Sequence, residues 1–449
     1  MANGQSQKTV LIATDNMVES QFIAEALKLQ GYNIVFSEFD GTTLKGTPVT
    51  PPAAVLFVFL NYIEHTPSIV KALKQHYSHK TPPFIGALAK DEQIDKNTFD
   101  SVIFPPAHIT QIANRVSSMI RLGQMEREIN RRIKTLKTDF DVEYTLSEAA
   151  LVKPFKILFI GKATPDFMVI INALQTKNVE VVAAFTSFSA FDYLHDGKFD
   201  AVVMNALTEP EPALTISETM RRNAKLFHVP TLFLVDPEIF DDHELAYKKG
   251  ARDIISTKAE TEEISGRILE LANYHRIHSL LKEEFQSLDE NCIDVESHVF
   301  TEAFFRAHLQ HVTEDIKTSS ENLTLIAIKA NPNAHTQIPS NKIKIAVAQV
   351  GQMLKNLVRM QDIIARISED VFMIAFPEQD IESVRAVIER IDGIVDCAAF
   401  DSGDPESGAF TISLNTAIVE HMGHETSQTL IAQALSELTG QPIEQLKAS

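Results

Sequence analysis

Short apolar runs alternate with helical stretches along this chain, and the alternation comes round twice. The first set is Thr9-Val-Leu-Ile-Ala13, Ala53-Ala-Val-Leu-Phe-Val-Phe-Leu60, Pro83-Phe-Ile-Gly-Ala-Leu88 and Asp100-Ser-Val-Ile-Phe-Pro105. The second is Phe155–Ile160, Phe199–Met204, Pro230–Leu234 and Gly250–Ile255. Runs this short predict strands buried on both faces. Phe22, Ile23, Ala26 and Leu27 follow the first run at the spacing of a helix face. Strands that alternate with helices predict an α/β class with doubly wound parallel sheets. Repetition at this scale means one domain copied in tandem, not a solenoid.

Two longer patterns join the parts. Ile112, Val116, Met119, Ile120, Met125, Ile129, Ile133 and Leu136 recur mostly at steps of three and four, which predicts a helix with one apolar stripe. The charged residues of Glu126–Lys137 suit a solvated face on that helix. A second connector helix runs through Ile264, Ile268, Leu271, Leu281 and Phe285. His275 and His278 lie on it at i and i+3, but no Cys or carboxylate completes a metal set.

At 449 residues the chain is too long for one core, and about three domains is the expectation. The boundaries expected are 1–150, 151–290 and 291–449. A formal charge of −19 repels phosphate backbones and anionic lipid, so neither nucleic acid nor a membrane surface is an expected partner. A local basic pocket for a small phosphate ligand stays open. Cys292 and Cys397 form neither a disulfide framework nor a zinc pattern, which fits a reduced cytoplasm. Met1 to Lys8 is polar, and no run reaches the roughly 18 apolar residues of a membrane span. A cytoplasmic protein without membrane insertion is expected.

The third part carries a more specific pattern. Arg359-Met-Gln-Asp362-Ile-Ile-Ala-Arg366-Ile-Ser368-Glu369-Asp370-Val371-Phe372 resembles the core of a GGDEF domain, the fold that makes cyclic di-GMP. The family's Gly-Gly-Asp/Glu-Glu-Phe reads here as Ser368 to Phe372, and its regulatory Arg-x-x-Asp stands as Arg359 and Asp362. Leu323–Ile328, Phe372–Phe376 and Phe410–Leu414 match its strands, and the resemblance runs from Asp294 to about Thr439. The earlier parts, Lys8–Gly123 and Pro154–His275, resemble response-regulator receivers, most closely at Gly250-Ala251-Arg-Asp253. The order is similar to PleD-type regulators: two receivers, then an α+β, nucleotidyl-cyclase-like GGDEF domain. It most resembles PopA-type cyclic di-GMP effectors of alphaproteobacteria.

What the resemblance implies depends on the residues kept. A receiver uses an acidic pair, a phosphoacceptor Asp and a Lys, because metal and ammonium must neutralise the incoming phosphoryl oxygens. In the first copy one acid survives as Asp15, the third strand ends Val58-Phe59-Leu60, and Phe104 falls on the Lys position. In the second, Gly161-Lys162 replace the acids, Asn205 takes the acceptor's place and Thr257 that of the Lys, with Lys258 next. An amide is no carboxylate nucleophile, so docking or dimerisation modules are expected. In the GGDEF frame, Lys329 and Asn331 align with two Asp positions, while Asp370 keeps its acid. Ser368 and Glu369 add side chains where glycine lets backbone approach a nucleotide, and Val371 removes an acid. His335 falls in the loop that replaces a further family turn. A Lys329–Asp370 ion pair in place of a metal site is one consequence, and a chain that is not an enzyme and holds no metal is the expectation.

The regulatory half is kept. Arg donates in a planar fork to guanine O6 and N7 or to phosphate, and a carboxylate accepts from guanine N1–H and its amine. Arg359 and Asp362 supply both at i and i+3, and the resemblance adds Arg390 on the helix Ile381–Ile391. Arg366 is assigned a structural role. A lone Arg-x-x-Asp is also a common surface pair worth a few tenths of a kcal/mol, roughly. The function expected is a non-catalytic cyclic di-GMP effector or adaptor with cyclic di-GMP as ligand. It recruits protein partners through pseudo-receivers and pairs as a homodimer; the resemblance extends to a proteolytic adaptor complex and a cell-pole location. Two other readings stand beside it: a diguanylate cyclase with residual, product-inhibited activity, and a phosphorylation-gated regulator.

Overall fold

A computed structural model of the chain describes residues 8–40, 43–58, 65–78, 80–87, 98–103, 107–146, 153–290, 292–319, 321–333, 338–403 and 408–441. Phe59, Leu60, Leu88, Phe104, Pro105 and His335, on which some expectations fall, lie outside the described residues. Three sheets organise the described chain.

The first follows β1 (Thr9–Thr14), α1 (Met17–Leu29), β2 (Asn33–Phe39), β3 (Leu44–Lys45), β4 (Ala54–Val58), α2 (Thr66–His76), β5 (Phe84–Ala87), β6 (Ser101–Ile103) and α3 (Ile109–Phe140). Its order is β3-β2-β1-β4-β5-β6, parallel throughout except at β2–β3. The second follows β7 (Lys156–Ile160), α4 (Pro165–Thr176), β8 (Glu180–Ala184), α5 (Ser187–Asp196), β9 (Ala201–Ala206), α6 (Pro210–Arg222), β10 (Thr231–Val235), α7 (His243–Lys248), β11 (Asp253–Ser256) and α8 (Thr261–Asp289). Its order is β11-β10-β9-β7-β8, all parallel. Without the small β3, both sheets share the doubly wound order 2-1-3-4-5 of flavodoxin-like folds.

Period-two alternation splits each strand between two cores. Val10, Ile12 and Leu56 face α1 and α3, while Leu11, Val55 and Phe57 face α2. Helix starts are written locally. Thr164 accepts from Phe167 N–H with Pro165 beginning α4, and Thr186 and Ser189 form a capping box on α5.

The third sheet is mostly antiparallel. It follows β12 (Phe300–Thr301), α9 (Glu302–Ser319), β13 (Leu323–Asn333), α10 (Ser340–Leu357), β14 (Ile363–Arg366), β15 (Val371–Pro377), α11 (Ile381–Asp396), β16 (Phe400–Asp401), β17 (Ala409–Glu420) and α12 (Ser427–Thr439). The order is β12-β14-β15-β13-β17-β16. One face buries Ile326, Ile328, Phe372 and Ile374 under α10 and α11. The other buries Leu325, Ala327, Met373 and Ala375 under α9 and α12.

The connector helices are part of that last core. Met125, Ile129 and Leu136 of α3 and Phe285 and Leu288 of α8 pack into it. This corrects the solvated face expected over Glu126–Lys137: Glu128, Arg131, Arg132 and Thr135 are buried. They are buried because they pair. Arg132 Nε donates to Glu128 at 2.9 Å, His308 Nε2 stands 3.1 Å from the same oxygen, and Thr135 Oγ1 lies 2.8 Å from His308 Nδ1. A second polar seam ties the first sheet's end to α8 and β11. Arg115 Nη1 donates to Glu270 at 2.6 Å, and Gln111 Nε2 to Asp253 at 2.7 Å. No described helix is long and apolar enough to cross a membrane.

Candidate functional site

Two turns flank β14. The turn after it carries Ser368, Glu369 and Asp370, closed by Ile367 N–H donating to Val371 O at 2.8 Å. Central strand β13 lies alongside, with Lys329 opposite Val371. Lys329 Nζ stands 3.7 Å from Asp370 Oδ2, the ion pair expected, with each side chain about two-fifths exposed (42% and 43%). Glu369 pairs with Lys344 of α10 at 2.7 Å, and this bond holds its carboxyl below the usual range. Asn331 Nδ2 donates to the Lys329 carbonyl at 3.4 Å. Arg366 reaches back to Glu296 at 2.8 Å and donates to the Glu369 carbonyl at 3.0 Å, so it braces the turn.

The turn before β14 carries the regulatory pair. Arg359 N–H donates to Asp362 Oδ2 at 2.8 Å, and Asp362 N–H donates to Arg359 O at 3.0 Å. Gln379 Nε2, two residues past the end of β15, donates to Asp362 Oδ1 at 2.9 Å. Both carboxylate oxygens are therefore engaged, and Asp362 is buried. Burial pushes its carboxyl up to about 7; the Arg359 N–H and guanidinium offset only part of that. Arg359 itself is exposed. Arg390 of α11, also exposed, donates from Nη2 to the Leu357 carbonyl at 2.6 Å. The structure thus brings all three expected residues to one turn, two guanidinium groups outside and the carboxylate inside.

What covers Asp362 was not legible in the sequence. Arg132 of α3 donates to the carbonyls of Met360 at 2.9 Å and Asp362 at 3.4 Å. Next to Gln379, Glu378 takes bonds from Gln124 at 2.8 Å and Arg127 at 2.8 Å, both on α3. The gap left between α3 and the turn is about 10 Å³, room for about one water. These residues lie far from the Arg-x-x-Asp pattern in sequence, and no local signal marks them.

In the second sheet's unit, Asn205 Oδ1 accepts from Leu207 N–H at 3.1 Å and Nδ2 donates to the Lys162 carbonyl at 2.5 Å. Lys162 pairs with Glu209 at 2.6 Å and Lys258 with Glu238 at 2.6 Å, both on the surface. In the first, the Thr14 hydroxyl donates to the Val58 carbonyl at 2.9 Å.

Residues 344–440 match the family described as diguanylate cyclase, GGDEF domain. The match covers less than half of the chain. It places a GGDEF domain at the C-terminal end of this mixed α/β protein. None of the curated proteins compared matches the chain. Among solved structures, the GGDEF domain of DgcB from Caulobacter crescentus in complex with c-di-GMP is 14% identical. The alignment covers 33% of this chain and 86% of that one, at a TM-score of 0.29. The active GGEEF domain of a diguanylate cyclase from Vibrio cholerae is 13% identical over 30% of this chain and 85% of that one, at 0.26. A putative response regulator from Chloroflexus aurantiacus is 18% identical over 27% of this chain and 98% of that one, at 0.25. At these identities and scores the likenesses carry nothing about ligand or activity to this chain.

The family match corrects one expectation. Lys329, Ser368, Glu369 and Val371 led to a chain that is not an enzyme, yet residues 344–440 match a family described by its cyclase activity. The geometry gives the physical reason. Lys329 holds Asp370 by a long, half-exposed pair, and such pairs are worth about 0–1 kcal/mol. A flexible ammonium held so weakly does not close the turn to other occupants.

Proposed function

We propose that this protein is a cyclic di-GMP signalling protein that binds the dinucleotide at the turn of Arg359, Asp362 and Arg390. The observation that carries this reading is the pair of exposed guanidinium groups gathered at one turn, Arg390 by its bond to the Leu357 carbonyl. Planar forks suit both ligand parts, phosphate and guanine edge. Asp362 first acts from behind, fixing Arg359 through its backbone; it meets the ligand only if α3 moves off the turn. The two N-terminal α/β units, 1–150 and 151–290, serve as receiver-like modules that dock protein partners or a second copy. Their common strand order supports this. So does Asn205, an amide already bonded where a receiver places its acceptor acid.

A second reading has the same domain condense two GTP into cyclic di-GMP and then be inhibited by its product. The family match and the half-exposed Asp370 carboxylate favour it.

Calorimetric titration of the full chain with cyclic di-GMP tests the first reading. Wild type binds, and Arg359→Ala binds about tenfold more weakly or worse, as loss of a bond to a charged group costs roughly 1.5–3 kcal/mol. Absence of wild-type binding, or equal binding by Arg359→Ala, rejects the assignment. Incubation with GTP and magnesium tests the second: turnover on the order of 1 per second, or within a few decades of it, supports it.

A further inference from the structure

A second basic site lies away from both turns. Between α3 and the second sheet's unit is a cleft of about 290 Å³. Arg121 of α3, Arg252 just before β11, His228 just before β10, and His275 and His278 of α8 line it. Among the described residues, no carboxylate does. In a chain with a formal charge of −19, this concentration of cationic and imidazole groups stands out.

The usual explanation for such groups is internal pairing, and it fails here for the residues that matter. Arg115, also on the wall, is paired with Glu270 at 2.6 Å. Arg121 and Arg252 have no side-chain hydrogen bond or ion pair among the described residues, and both reach solvent at the cleft. His275 Nδ1 is buried without a hydrogen-bond partner among the described residues. An orphaned buried imidazole nitrogen costs stability unless something meets it. His228 and His278 lie 5.1 Å apart between ring centroids, tilted at 38°, and Tyr274 stacks on His278 at 6.4 Å.

We propose that this cleft binds a small phosphate-bearing anion, held by Arg121 and Arg252 with the imidazoles and the wall amides as further donors. A metal cation is disfavoured there by the two guanidinium groups beside the imidazoles. The volume sits at the small end of the roughly 300–1,000 Å³ typical of small-molecule sites, which suits a pyrophosphate or a mononucleotide. Electrostatics point the same way. Burial, then the His278 ring, holds His228 down at about 4; burial, then His275 and Arg121, holds His278 at about 4. Burial penalises charge of either sign, but the part contributed by the neighbouring cationic groups, Arg121 and Lys282 beside both rings, favours a negative occupant. The cleft is built by both N-terminal units, so an occupant bridges them and fixes their relative placement. This proposal does not depend on the reading of the Arg359 turn.

The test uses the full chain, with calorimetry at constant ionic strength. The probes are pyrophosphate, GMP and, as the nonphosphate control, sulfate. Saturable binding of pyrophosphate or GMP that falls tenfold or more in Arg121→Gln/Arg252→Gln, while Arg359→Ala retains it, supports the proposal. Pyrophosphate alone binding identifies the phosphate group as sufficient; GMP alone binding shows that the nucleoside is needed as well. Sulfate binding as tightly as either phosphate probe, no binding at millimolar concentration, or binding unchanged in the double variant overturns it. Should that variant misfold by circular dichroism, His275→Ala serves in its place under the same criterion.

Discussion

At the residue scale, Asp362 shows how one position meets two demands. Its carboxylate accepts from Arg359 N–H and Gln379 Nε2, which fixes the turn. Its burial raises the carboxyl to about 7. The raised value means the folded state keeps this proton over a range where the unfolded chain, with an ordinary Asp near 3.9, has lost it. The contribution of Asp362 is therefore fully present below the ordinary pKa and is lost as pH rises through about 7. Asp362→Asn removes that titration. Urea denaturation across pH 4 to 8 is expected to show wild type losing stability relative to Asp362→Asn as pH rises; a constant difference between the two refutes the buried-proton account. The sequence led to Asp362 because Arg-x-x-Asp is local. It did not lead to the burial, because the covering residues Arg132 and Gln379 are set by tertiary contact.

At the scale of elements, α3 is the unusual piece. Its apolar stripe was readable from Ile112 to Leu136, since a 3.6-residue period survives any context, and the helix runs Ile109–Phe140. Its charged flank was misread because composition cannot tell a solvated charge from a paired one. Glu128 is the pivot. Burial alone would raise its carboxyl, but His308, Arg132 and Arg131 outweigh that and hold it at about 2. Its stabilising effect is thus present above the ordinary Glu value and is lost as pH falls toward about 2. Glu128→Ala strands Arg132 and His308 in the core, and breaking a buried pair in this way costs about 3–5 kcal/mol. Denaturant titration is expected to show a loss of that size, and a loss below about 1 kcal/mol would place the pair among surface bridges. The sheets were more legible than the helix flank. Apolar runs such as Phe155–Ile160 became β7 within a residue of their bounds, because strands buried on both faces leave no polar break. β17 was read only over Phe410–Leu414 and runs to Glu420, since its later half is mixed in burial.

For the whole molecule, the same helix links the N-terminal sheet to the turn of Arg359. Along one side α3 packs into the first sheet's core through Ile112, Val116 and Ile120, and further on it packs into the third. Gln124 and Arg127 grip Glu378, and Lys80 of the first unit stands 4.0 Å from the same carboxylate. Lys80, pushed down to about 7 by burial despite Glu378, also meets Glu321. Arg132 of α3 and Gln379 engage Asp362, so on the proposed reading a dinucleotide meets Asp362 fully only where α3 has lifted, and the apparent affinity scales with that fraction. Arg127→Ala removes donors from Glu378 while leaving Arg359, Asp362 and Arg390 untouched. Weakening the closed arrangement by about 1.4 kcal/mol raises the lifted fraction about tenfold while that fraction is small, and the apparent affinity with it. Calorimetric titration of Arg127→Ala with cyclic di-GMP is therefore expected to give tighter binding than wild type, accompanied by faster proteolysis of α3. Unchanged affinity with α3 loosened would mean that the dinucleotide uses the outer guanidinium groups alone and that Asp362 remains a structural brace.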